Sequence, residues 1–216
     1  MEPVKAEKQF NKFVSLFYVL SFIPVVVLSL AVVGIVIGII VVLVAAESIV
    51  NLIQNVPFTE LTVELEQLGL LSNEVTENLV INQLPIILVM LSSMVVMFLL
   101  ISITIFINRW LKNLKEGHYF DEKNSKYVEY VGYTIITLSI WYGVQELAGS
   151  YMAVDFFESN PEIMSHFTDV LFDFSDMLTY SFSIDIVLLF IGVLVWMIGR
   201  VFKYGTYLQN EYDQTV

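Results

Sequence analysis

The chain contains no cysteine, and that absence removes several chemistries at once. There is no disulfide framework, no thiolate metal site, no cysteine nucleophile and no cysteine to carry palmitate. Charge is scarce as well: 15% of the 216 residues are charged and 57% are apolar, against roughly 25% and 45–50% in a soluble domain. With a mean hydropathy of +0.75, one soluble core could not hide so much apolar surface, and a lipid bilayer is the solvent that can. No Pro-, Gly- or Ser-rich linker and no low-complexity tract divides the chain, so a single membrane domain over residues 1–216 is expected.

Also missing are the motifs that announce an enzyme. Ser, His and Asp occur, but not in a nucleophile elbow, a zincin helix or a phosphate loop. A non-enzymatic protein without a cofactor is the expectation.

Four apolar runs are present, at about 13–46, 85–107, 128–147 and 184–202. The pattern predicts an all-α integral membrane protein with four transmembrane helices. The first run is roughly 50 Å long as a helix, more than a hydrocarbon core of about 30 Å requires. Pro24 can kink it, and Gly34 with Gly38 permits close helix approach. It is about twice the usual length of a signal-peptide core, and Val44-Ala45-Ala46 is a poor cleavage site, so an uncleaved anchor is expected. Asp185 and Arg200 bracket the fourth run, each at the helix end whose dipole favours its sign.

Basic residues are absent from 47–83 and from 148–183. All ten lie before the first run (Lys5, Lys8, Lys12), between the second and third (Arg109, Lys112, Lys115, Lys123, Lys126) or at the end of the fourth (Arg200, Lys203). The positive-inside rule then gives one topology, with both termini and the 108–127 loop cytoplasmic and the two unlabelled segments outside. A cell membrane with the lipid bilayer as first partner follows; the net charge of -12 argues against direct nucleic-acid binding.

Both outer segments are acidic. The first pairs Glu60, Glu64 and Glu66 with an apolar set at Leu61, Leu65, Leu68, Leu71 and Val75; the second pairs His166, Asp169, Asp173 and Asp176 with Phe167, Val170, Leu171 and Phe174. Helical spacing predicts short amphipathic helices capping the bundle. The His–Asp face has metal-ligand chemistry, but without a second ligand cluster no metal site is expected.

Tyr130, Thr134, Thr137, Trp141 and Gln145 recur at helical spacing down one face of the third span. In lipid such a face turns inward, to bond neighbouring helices or to line a path. Ionisable groups stand only near the ends of the runs, which weighs against a proton- or ion-coupled pump. In the inner loop, Gly117 reads as a helix C-terminal glycine and Asp121 as the cap of the next helix.

Two stretches carry a family resemblance. Leu114, Gly117, Phe120 and Asn124 in the loop, and Gly205, Leu208, Gln209, Glu211, Asp213, Thr215 and Val216 in the tail, resemble a bacterial membrane-protein family of unknown function, DUF2975. Members of that family are often encoded beside a small helix-turn-helix transcriptional regulator. The resemblance therefore implies a regulatory or sensory membrane protein working with such a partner at the cytoplasmic face, the tail either docking it or packing on the Gly117 turn. The alternative is a small transporter, exporter or immunity-type protein that uses the polar face of the third span, in either case with scope for a homo-oligomer.

Overall fold

A computed structural model describes residues 3–55, 80–118, 121–161, 163–165 and 178–215. The described residues are helical, without strands: α1 (Pro3–Leu20), α2 (Phe22–Asn55), α3 (Gln83–Lys115), α4 (Glu122–Ser159) and α5 (Ile186–Thr215). Most of both outer segments, including the leucine set of the first and the His166 to Asp176 face of the second, lies outside these residues, as do Tyr119, Phe120 and Val216.

Three helical stretches among the described residues are long and apolar enough to cross a membrane: Gln9–Ala45, Gln83–Lys115 and Ile186–Gln209. The distribution of side chains is that of a protein solvated by hydrocarbon. Val44, Ile186 and Val201 are more than two-thirds exposed, whereas Ser125, Ser139 and Thr206 are buried, as expected where small and polar residues mediate helix contact and apolar ones face lipid. Helix α4 is longer than any of the three but more polar, and it does not reach the same apolar threshold.

Local chemistry explains the breaks. Pro24 has no N–H to give the Leu20 carbonyl, and its ring crowds that carbonyl, so the helix stops at Leu20 and restarts at Phe22, two residues before the proline itself. Ser21 stitches the break: its N–H bonds the Phe17 carbonyl (2.9 Å), its hydroxyl donates to the Tyr18 carbonyl (2.7 Å) and accepts from the Asn108 amide of α3 (2.9 Å). A second kink falls at Ala45, where φ is -123° and ψ 22°.

Helix α3 ends in a Schellman motif. Gly117 has φ +83°, its N–H bonds the Leu114 carbonyl and the His118 N–H bonds the Asn113 carbonyl. Asp121 caps α4 by accepting from the Lys123 N–H at 2.9 Å. Asp185 caps α5 in the same way, accepting from Leu188. The helix that it opens runs on to Thr215, so Arg200 is internal to α5 and not at a dipole-favoured end.

The chain divides into two compact units, one made of 1–33, 94–142 and 183–216, the other of 34–93 and 143–182. All ten basic residues fall within the first, with nine acidic ones, and the remaining thirteen acidic residues fall within the second.

The first unit is organised by a close antiparallel seam between α4 and α5. Ser139, fully buried, donates to the Asp185 carbonyl at 2.8 Å. One turn at a time along α4 and back along α5, Gly192 meets Ile136, Gly132 meets Trp196, and Gly199 meets Glu129. A Cβ built on Gly132 would lie 2.5 Å from the Trp196 backbone nitrogen, and one on Gly199 would lie 2.8 Å from the Glu129 nitrogen. The two backbones touch because these positions carry no side chain.

In the second unit, Asn160 clamps the segment before α3. Its Oδ1 accepts from the Val80 N–H and its Nδ2 donates to the Val80 carbonyl, both at 2.8 Å, and Nδ2 also reaches the Phe156 carbonyl at 2.7 Å. Beside it Asn82 donates to Asp155 (2.8 Å) and Ser159 (3.1 Å). Tyr151 stacks on Tyr180, and Ser150 accepts from the Ser181 N–H, tying the approach to α5 back onto α4.

Candidate functional site

The loop and tail residues singled out in the sequence differ in what they do. Asn124 is a crosslink: buried at 5% exposure, it accepts from the Asn113 amide at 2.9 Å and donates to the His118 carbonyl. It thereby holds the start of α4 against the end of α3, with Gly117 supplying the left-handed residue that the turn between them needs. Leu114 and Asn124 also line a crevice with α1 and Phe202. Phe120 lies outside the described residues.

The tail is a continuation of α5, and most of its described side chains are turned out. Tyr204, Tyr207, Leu208 and Tyr212 are exposed at 65%, 58%, 47% and 70%. Gln209 is exposed, Gly205 has nothing within 4 Å of where a Cβ would be, and the Tyr207 hydroxyl donates to Glu211 at 2.9 Å. The helix includes Asp213 and Thr215. Thr206, one residue along from Gly205, is the buried member of this stretch, with its hydroxyl on the Phe202 carbonyl.

The polar face of α4 does not act as a unit. Thr134 and Thr137 donate to the Tyr130 and Tyr133 carbonyls of their own helix, at 2.7 and 2.9 Å. That satisfies the hydroxyls without reference to any neighbour. The Tyr130 ring rests against Phe106 of α3, with centroids 5.3 Å apart. Gln145 reaches across to the Ser93 hydroxyl of α3 at 3.4 Å, and its Oε1 is buried without a hydrogen bond. Ser139, which lies off this stripe, does reach another element, donating to the Asp185 carbonyl at the start of α5.

Electrostatics concentrate at the same end as the loop. Glu129, buried at 8% exposure, has Oε1 3.6 Å from Arg200 Nε, and the Arg200 guanidinium lies over the Trp196 ring at 5.3 Å. Glu122 and Lys126 form an exposed pair at 2.9 Å. The Lys126 hydrogen bond and then its charge hold the Glu122 carboxyl below the ordinary carboxylate range, and Glu122 raises Lys126 in return. Lys112 and His118 flank Glu116 at 3.9 and 4.0 Å. Among the described residues no group of three or more His, Cys, Asp or Glu side chains is arranged to hold a metal.

A family model described as a protein of unknown function, DUF2975, matches residues 65–216. No curated protein and no solved structure matches the chain.

Proposed function

This chain belongs to the DUF2975 family, and we propose that it is a four-span protein of the bacterial cytoplasmic membrane that holds a small helix-turn-helix transcriptional regulator on its cytoplasmic tail. Three helices have the length and composition of spans. On this reading α4 is the fourth: its 38 residues reach about 57 Å. The hydroxyls of Thr134, Thr137 and Ser139 are bonded to carbonyls, the form that polar groups must take away from water. Four crossings bring both ends of the chain to one side. The confinement of every basic residue to one unit favours the cytoplasm for that side.

The observation that carries the regulatory reading is the outward-facing tail. Three tyrosines and a leucine on a helix beyond the last apolar run, next to Glu211, offer an aromatic and acidic surface of the kind that binds a protein partner. The transporter reading is the weaker one, since the two threonines on which it depends spend their hydroxyls within α4. The test is co-purification of a small helix-turn-helix regulator from the same cells, with the intact chain and with residues 205–216 deleted. Recovery is expected to be lost with the deletion and with Tyr204→Ala/Leu208→Ala; unchanged recovery would sink the regulatory reading.

A further inference from the structure

The first unit contains a crevice of about 460 Å³ between α1, the end of α3 and α5. Its wall is aromatic and apolar: Phe10, Phe13 and Phe17 from α1, Trp110 and Leu114 from α3, and Phe202 from α5. The phenylalanines of α1 are about half exposed, at 45%, 59% and 44%, so the space is open to whatever surrounds the helices. Asn124 also lines it, but its amide is committed to Asn113 and to the His118 carbonyl. Such a wall takes hydrocarbon.

Two of the residues in this wall are followed in the chain by a lysine. Lys115 follows Leu114, and its ammonium sits 5.2 Å from the centroid of the Tyr18 ring, which tethers it to α1 one residue beyond Phe17. Lys203 follows Phe202; Glu122 shares its field but has Lys126 as the nearer partner, at 2.9 Å. An apolar slot with one ammonium held on Tyr18 and a second on the residue after Phe202 is complementary to a hydrocarbon chain that ends in a negative headgroup. In a chain whose helices are solvated by lipid, that ligand is already at hand.

We infer that the crevice binds an acyl chain of one anionic phospholipid, with Lys115 and Lys203 meeting its phosphate. A zwitterionic lipid gains the same wall but less from the charge. The inference rests on the membrane reading and is independent of the regulator: lipid selectivity can fail while partner recovery holds, and the reverse.

Native mass spectrometry of the full chain, released from detergent containing equal amounts of phosphatidylglycerol and phosphatidylcholine, reads this out directly. One phosphatidylglycerol is expected to be retained in preference, with the preference falling about five-fold in each of K115Q and K203Q. Leu114→Trp, which fills the crevice, is expected to abolish the adduct while the helical circular dichroism stays unchanged. The lysine variants carry the test if that variant does not fold. Equal retention of the two lipids, or a preference unaffected in the K115Q/K203Q double variant, overturns the inference.

Discussion

Gly132→Ala adds one methyl group to the helix that the seam can least accommodate. The new Cβ would stand 2.5 Å from the Trp196 nitrogen, 2.7 Å from its Cα and 2.8 Å from its Cβ. Two of these three atoms are backbone, so no side-chain rotation relieves the clash; α4 and α5 must separate. Overpacking of this kind costs typically about 1–3 kcal/mol, and it has to outweigh the gain of roughly 0.8–1 kcal/mol that alanine offers over glycine in a helix. Separation would also stretch the Ser139 hydrogen bond to the Asp185 carbonyl. The control is Gly34→Ala, where nothing lies within 4 Å of the added atom and only the propensity gain applies. Thermal unfolding in detergent, followed by tryptophan fluorescence, should place Gly132→Ala below the parent by roughly 2–4 °C for each net kcal/mol lost, and Gly34→Ala at or above it. If the two variants prove equally stable, the backbone contact between α4 and α5 is not what holds this unit together.

Two further outcomes follow from local contacts. Asn160→Leu removes both hydrogen bonds to Val80, and as each is worth about 1 kcal/mol, hydrogen exchange at the Val80 amide should accelerate at least about five-fold while exchange within α5 is unaffected. For Glu122 and Lys126, the carboxyl is lowered, so the contribution of the pair is complete above the unfolded carboxylate pKa and lost as pH falls through the lowered folded value. The amine is raised, so on the alkaline side the contribution is complete below the unfolded lysine pKa and lost as pH rises through the raised folded one. Carbon-detected titration of Glu122 should show its midpoint move up in K126Q, and move up in the parent when salt is added; a midpoint indifferent to both would remove the pair.

Much of the helical layout was legible because its causes are local. Gly117 and Asp121 end one helix and begin the next through chemistry that spans six residues or fewer, and Pro24 breaks its helix through the carbonyl four residues back. What was not legible depends on partners far away in the chain. Gly132, Gly192, Gly199 and Ser139 look ordinary until the register of α4 against α5 is known. Asn160 acquires its meaning from Val80, eighty residues earlier. The spacing of Thr134 and Thr137 identified a face, but periodicity does not say whether a hydroxyl bonds another helix or its own. A cytoplasmic extension of the last helix through Tyr204 and Tyr207 was open to the sequence, and it is that extension to Thr215 which takes Arg200 away from a helix end. Of the family-linked residues, Asn124 proved structural and Leu208, Gln209 and Glu211 outward-facing, a division that spacing alone does not make.

The proposed fourth span is α4, the most polar of the candidates. Because the chain has no cysteine, single cysteines can be introduced one at a time and labelled with a membrane-impermeant maleimide in intact cells and in inverted vesicles. Cysteines at Glu116, Lys123 and Tyr212 should label only in inverted vesicles, and cysteines at Asn82 and Glu158 only in intact cells. Labelling of positions 123 and 158 from the same side would mean that α4 does not cross and that the chain has no fourth span there.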